Sequence, residues 1–308
     1  MAAQTTVPPS LTGDPGRRRR ERVIARSLFA AALVSILVSV GILYSLFGGA
    51  FSFLRQVDLG LLFTTGWFPR RDLFDVRTLV VGSVLVSVIA MAIAGPLGLG
   101  AAIYLAEYAQ PRARRLLKPI LEILAGVPSI VLGYFALTWI NPNLVQSVVP
   151  GTPQFNLVSA GIGVGILVTP LMASISEDAL RAVPMSLREA AAGLGARRIT
   201  TTFRVVVPAA VSGIVAAAIV SVSRAIGETM VIALAAGAAA GALFGLNPLR
   251  GGQTLTGAIA SLAAGTDQVA GGTYSFESLF FVGLLLFVFT LLLNVAGDRF
   301  VRRFRKAY

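Results

Sequence analysis

The 308-residue chain is 56% hydrophobic and only 13% charged, about half the charged share of a soluble domain, and a mean hydropathy of +0.80 marks it as a membrane protein. It has no cysteine and no histidine, which excludes thiol and imidazole catalysis, disulfides and the usual zinc ligand sets. Its two lysines, Lys118 and Lys306, precede neither Ser nor Thr, so it has no phosphate loop of its own, and its net charge of +12 gains meaning only from where the arginines lie.

Residues 1–16 contain three prolines and no apolar run; with the arginines that follow, 1–25 reads as a disordered basic tail. Six mostly apolar stretches approach the 20 or so residues that cross a hydrocarbon core. The first, 27–49, is longer than a secretory h-region and is closed by no A-x-A-like site, so it is expected to be a retained helix, leading into an outer loop within 26–78. The second, 78–106, contains Gly95-Pro96, where a kink is expected. No charge occurs from Ile123 to Ser176, and the turn formers Asn141-Pro142-Asn143 and Pro150-Gly151-Thr152-Pro153 are expected to divide this stretch into spans at 121–140 and 157–176. Gly126-Val127-Pro128-Ser129 would bend the third span. An unwound segment there would turn backbone N–H groups toward an anion; a kink that merely packs is the alternative. Gly161-x-x-x-Gly165 fits close helix packing. The fifth span covers 208–237 and the sixth 276–296. The loops at 50–77 and 238–275 are long, and the second is rich in glycine without a period that would define its structure.

Orientation follows the basic residues. Arg17, Arg18, Arg19, Arg20, Arg22 and Arg26 precede the first span; Arg112, Arg114, Arg115 and Lys118 follow the second; Arg181, Arg188, Arg197, Arg198 and Arg204 follow the fourth; Arg299, Arg302, Arg303, Arg305 and Lys306 follow the sixth. The opposite loops carry only Arg55, Arg70, Arg71, Arg77 and Arg250, balanced by as many carboxylates. Both termini are therefore expected in the cytoplasm.

Two constellations carry chemistry. Ser186 and Glu189 have capping-box spacing, which predicts a short helix from Ser186; Ala190 and Ala191 keep one face slim. Gly193 or Gly195 supplies a left-handed end, and Ala196 to Val206 forms a second helix entering the membrane at Pro208. In the fifth span, Arg224 and Glu228 lie four apart, hence on one helix face halfway across. A charge at that depth costs about 2.5–3.5 kcal/mol, so it pairs or lines a pathway. Either the pair neutralises itself and holds helices in register, or Arg224 offers a guanidinium fork to an oxyanion while Glu228 holds the side chain and limits the anion's grip. An intramembrane hydrolase would need a His or Lys base or paired aspartates in the spans, and none is there. No motif binds metal.

Glu189-Ala190-Ala191, three residues, Gly195, nine residues and Val205-Val206-Val207-Pro208 together resemble the EAA loop of ABC importer permeases, with Val205 and Val207 where Ile and Leu are usual. The Arg224–Thr229 segment, together with 96–109 and 122–133, resembles the permeases of the phosphate-specific ABC importer, and the matches cover most of 79–303. Gly227-Glu228-Thr229-Met230, Gly252-Gln253-Thr254-Leu255-Thr256 and the stretch 292–299 are more similar to the PstC type than to its PstA sibling.

The resemblance implies an all-α membrane protein of six transmembrane helices with the ABC importer permease fold, in the bacterial inner membrane. Its core would be 79–298, with a coupling loop at about 178–206, and 299–308 would be a basic tail. Ser186, Glu189, Ala190, Ala191, Gly195 and Pro208 would serve the ATPase, and Arg224, Glu228, Thr229 and Ser129 the path of inorganic phosphate. Implied partners are a PstA-type permease, a dimer of PstB-type ATPase subunits, a PstS-type extracytoplasmic phosphate-binding protein and membrane lipid; no cofactor, no nucleic acid and no catalytic residue is implied. A PstA-type subunit, or a permease for sulfate or molybdate, is the alternative. A non-ABC channel or secondary carrier leaves the loop at 189–208 unexplained.

Overall fold

The computed structural model describes residues 15–63, 66–237, 241–263 and 274–304. Residues 1–14 and 305–308 of the expected tails, and 238–240 and 264–273 of the second long loop, lie outside them.

The described residues up to 48 form one unit, a single helix, α1 (Pro15–Gln56), which continues into the second unit from Gly49. Residues 15–25 are thus helical, not disordered. Proline suits a first helical position, where its missing N–H has no partner to lose, and arginine is a good helix former, so the basic segment simply extends the apolar helix.

Besides two short 3-10 turns at Leu59–Phe63 and Pro69–Arg71, the second unit, 49–308, holds the remaining elements. They are β1 (Gly66–Phe68), β2 (Leu73–Phe74), α2 (Val76–Tyr108), α3 (Pro111–Ala125), α4 (Ser129–Val148), α5 (Leu157–Arg181), α6 (Met185–Gly193), α7 (Arg198–Ala209), α8 (Val211–Ile226), α9 (Met230–Ile232, widening into a π-helical turn over Ala233–Gly237), β3 (Ala242–Leu243), α10 (Leu255–Ala263) and α11 (Ser275–Phe304). Among the described residues four helices are long and apolar enough to cross a membrane, or six if the bent pairs α3–α4 and α7–α8 each count as one span.

The spine of this unit is α2 against α5. A Cβ added at Gly161 would stand 2.7 Å from Cβ of Ile89, at Gly165 3.0 Å from the Ala90 carbonyl oxygen, and at Gly98 2.8 Å from Met172 Cβ. The glycine pair in α5 is therefore a packing face, where missing side chains let two backbones approach. Val86, Ala90 and Ala94 of α2 and Ala160, Val164 and Val168 of α5 form the apolar centre with Ile140 of α4 and Val231 and Ala235 beyond α8. Helix α2 passes Gly95-Pro96 as one helix and needs no break there.

At one end, called here the sheet end, the two long loops meet. β1 pairs antiparallel with β2 (Trp67 opposite Phe74) and with β3 (Trp67 opposite Ala242). Trp67, Phe74 and Phe53 pack beneath, with α10 buried against Leu79 and Val282. The glycines of the second loop find their use here: Gly241, at φ +78°, would place a Cβ 2.6 Å from the Trp67 carbonyl oxygen.

The third span differs from expectation. It runs over Ser129–Val148, while 121–125 closes the amphipathic helix α3, bent by 86° from α4 across Gly126-Val127-Pro128. Asn141-Pro142-Asn143 forms no turn and lies inside a π-helical stretch. The reason is tertiary. Asn141, 1% exposed, donates to the Gln154 carbonyl at 3.1 Å and accepts from Asn156 Nδ2 at 2.8 Å and Ser159 Oγ at 3.2 Å, so it anchors the real turn at 149–156, where Gly151 takes φ +83°. Asn141→Ala strands the buried Asn156 and Ser159 side chains and is expected to cost about 1–3 kcal/mol, read as a lower unfolding midpoint in detergent. Adding Asn156→Ala should cost little more, because both belong to one network; full additivity would break that account.

Candidate functional site

Helix α8 carries Arg224 in its last turn and stops before Glu228. The Gly227 N–H still bonds the Ser223 carbonyl at 3.1 Å, but the Glu228 N–H reaches back only three residues, to Ala225 at 3.3 Å, and the chain unwinds over Gly227-Glu228-Thr229 before α9 starts. The expected uninterrupted fifth span is therefore broken, and Arg224 and Glu228 meet across the break rather than along one helix. Glycine at 227 gives the turn little to hold it, and the Glu228 carboxylate offers the next segment a cap that a continuous helix would not use.

That carboxylate does two things. Its Oε1 accepts the Met230 and Val231 N–H groups at 3.2 and 3.5 Å, and its Oε2 lies 3.1 Å from Nη1 of Arg224. Burial is unequal: the Glu228 side chain is 3% exposed and the Arg224 side chain 49%. The anion is thus buried, with Oε1 held by donors of its own chain and Oε2 beside Arg224, whereas the half-exposed guanidinium carries five N–H donors in a planar fork that matches an oxyanion. Thr229 places its hydroxyl 3.4 Å from the Gly227 carbonyl oxygen, a weak local contact that leaves it at the edge of the break.

Ser129 is the first residue of α4, just after the bend. Four residues on, a Cβ at Gly133 would stand 3.0 Å from the Met230 carbonyl oxygen and from Val231 Cα. Ser129 lies one turn, about 6 Å along the helix, from this contact on the same face. The structure therefore brings the broken starts of α4 and α9 together, from positions about a hundred residues apart.

The second constellation is a compact knob at the other end of the unit. Helix α6 starts at Met185 with Pro184 as its cap, one residue earlier than predicted, and the Ser186–Glu189 capping box does not form: no side chain caps the first turn, and Ser186 sits inside the helix. Proline at 184, with φ −57°, already sets the entry of the chain. The far end is as expected. Gly195, at φ +76°, donates to Ala192 at 2.9 Å and Ala196 donates to Ala191 at 3.0 Å, the paired bonds of a Schellman close. Ala191 is buried; Ser186, Glu189, Ala190 and Leu194 are exposed. The second helix, α7, includes Pro208 and bends by 68° into α8. The missing N–H of Pro208 falls beside a π-helical turn over Thr202–Val206.

Sequence spacing gave no sign of what fixes the knob. Arg188 pairs with Glu107 at the end of α2 (2.8 Å) and donates to the Leu180 carbonyl at 2.9 Å, and Arg198 donates to the Glu107 carbonyl. Fully buried Glu177 gathers Arg114 (2.6 Å) and Lys118 (3.1 Å) of α3. Apart from the local Arg188–Leu180 bond, these contacts join residues 59 to 91 apart, and only the fold brings them together.

Residues 94–306 match the family of binding-protein-dependent transport system inner membrane components. The phosphate transport system permease protein PstC of Mesorhizobium japonicum is 33% identical over 86% of this chain and 84% of its own length. PstC 1 of Mycobacterium tuberculosis is 33% identical over 73% of this chain and 71% of its own. Among solved structures, an inward-facing MetNI methionine ABC transporter shares the fold, with a TM-score of 0.53 at 24% identity over 75% of this chain and 94% of its own. A long match of this kind, on a chain with the broken spans and knob described above, leaves one conclusion: the chain belongs to the family of binding-protein-dependent transport system inner membrane components.

Proposed function

We propose that this chain is the PstC-type permease subunit of an ATP-driven importer of inorganic phosphate and forms half of the translocation path. As a permease of an ABC importer it is a multi-pass inner-membrane transport component rather than an enzyme, and its family works with an ATPase and a binding protein. The specific partners follow from the similarity to PstC: a PstA-type permease, two PstB-type ATPase subunits and a PstS-type binding protein. The sheet end then faces outward and receives phosphate, both termini and the knob at 178–206 lie in the cytoplasm, and 79–298 acts as the working core.

The observation that carries the reading is the Arg224–Glu228 break. A half-exposed guanidinium, held from behind by a buried carboxylate, stands where a membrane helix is unwound, which supports passage of an oxyanion without tight capture. Balanced charge on the outer loops agrees with delivery by a binding protein rather than with collection of free anion by the protein's field. The test is uptake of radiolabelled phosphate by cells lacking their own high-affinity importer, supplied with this chain and its partner subunits. Uptake that needs ATP and this chain and ignores excess sulfate supports the reading. Uptake without the ATPase removes it, and competition by sulfate or molybdate changes the substrate to another oxyanion.

A further inference from the structure

The buried segment Gln253–Thr256 contacts the break, and neither the salt bridge nor the knob accounts for it. Where the chain unwinds at 227–229, the Thr229 carbonyl keeps a helical partner, the Ala233 N–H at 2.9 Å, but the Glu228 carbonyl is turned to another element. The Glu228 carbonyl is taken by the Thr256 hydroxyl at 2.7 Å, the shortest bond at the break, between residues 4% and 2% exposed. Thr256 is in the first turn of α10, whose start is itself fixed: the Thr254 hydroxyl accepts the Gly257 N–H at 3.1 Å, and the Leu255 N–H donates to Ser83 Oγ of α2 at 3.0 Å. There is no slack behind it, since a Cβ at Gly82 would stand 2.2 Å from the Gln253 carbonyl oxygen. A hydroxyl clamped between the α2 spine and the unwound residues ties the conformation of the sheet-end loop to that of the Glu228 backbone.

We infer that Thr256 is a positioning residue for the Arg224–Glu228 break, and that Gln253–Thr256 acts as a latch by which movement of the sheet-end loop is transmitted to the guanidinium. The role rests on the pathway reading above for its use in transport, but the latch itself is a property of the fold. When the hydroxyl is present, residues 227–229 stay unwound with Glu228 turned to Arg224. When it is absent, the Glu228 carbonyl has no partner from α10, and the break re-forms as helix or opens to water.

The assembled importer in proteoliposomes gives the test. Because the chain has no cysteine, Met230→Cys, at a side chain 41% exposed beside the break, supplies this subunit with one thiol. Its rate of modification by a water-soluble maleimide is compared with Thr, Ser and Val at position 256. Thr256→Val is expected to change the rate at least threefold, and Thr256→Ser to restore it to within about a factor of 1.5. Ser83→Ala, which frees the other end of the latch, should move the rate in the same direction as Val and serves where Val impairs assembly. Equal rates in all four proteins overturn the latch. Saturating phosphate is the separate arm. Protection of the thiol by phosphate with no dependence on residue 256 leaves the pathway reading and removes the latch; dependence on residue 256 without protection by phosphate leaves the latch and removes the phosphate reading.

Discussion

An importer carrying Arg224→Gln should take up phosphate roughly 10- to 150-fold more slowly than the parent while inserting and assembling normally. The magnitude comes from the bond that is lost. A hydrogen bond to a charged group contributes about 1.5–3 kcal/mol, and glutamine offers neither the charge nor the paired donors of the fork. Assembly should survive because Oε1 of Glu228 keeps the N–H groups of Met230 and Val231, the glutamine amide can donate to the buried Oε2 that loses Arg224, and the replaced side chain was already half exposed. Arg224→Lys should recover part of the rate, since it restores a point charge without the planar geometry. The double variant Arg224→Gln/Glu228→Gln separates transport from packing. If the pair only neutralises itself in the membrane, removing both charges restores uptake; if the guanidinium meets the substrate, the double variant is as slow as the single one. A fully active double variant, measured as ATP-driven uptake in proteoliposomes, would reduce the pair to a structural contact.

How much of this site was legible in the sequence depends on the range of the interaction. Arg224 and Glu228 stood out because two charges in an apolar run are costly wherever the fold places them, and their spacing of four already brought them into reach. The break between them was harder to see. Gly227 alone does not stop a helix, and what opens this one is a carboxylate that caps the next segment and a hydroxyl 28 residues away, neither of which has a local signature. Asn141-Pro142-Asn143 shows the opposite error. It has turn composition, but the Asn141 side chain is fixed by Gln154, Asn156 and Ser159, so its hydrogen bonds support a helix instead of competing with it. The knob behaved similarly: Gly195 announced its left-handed close, whereas the Arg188–Glu107 and Glu177–Arg114 pairs that anchor it depend on contacts across 81 and 63 residues. The helices follow from local apolarity, which is additive along the chain. Breaks and anchors follow from long-range polar contacts, which are not.

Gly195→Asp should separate ATP hydrolysis from transport, leaving the complex assembled and hydrolysing ATP while phosphate uptake falls at least tenfold. The backbone argument comes first. At φ +76° only glycine is free of strain, but aspartate is among the residues that tolerate this region, and a Cβ at Gly195 has open space, with nothing within 4 Å. The cost to the knob is therefore on the order of 1–2 kcal/mol, small beside its anchors: the Arg188–Glu107 pair at 2.8 Å and the buried Ala191 remain untouched. What changes is the outer surface. The exposed tip formed by Ser186, Glu189, Ala190 and Leu194 gains a carboxylate next to Leu194, an apolar side chain 89% exposed on the loop expected to serve the ATPase. Burying that new charge without a partner is far more costly than the backbone strain, so the defect lies in engagement of the ATPase and not in folding. Two controls make the distinction. Gly195→Ala carries the strain without the charge and should retain most of the uptake, and Leu194→Asp carries the charge without the strain and should uncouple as strongly as Gly195→Asp. If Gly195→Ala is as defective as Gly195→Asp, the left-handed turn itself is what transport requires; if Leu194→Asp transports normally, the exposed tip is not the surface through which ATP hydrolysis drives the membrane helices.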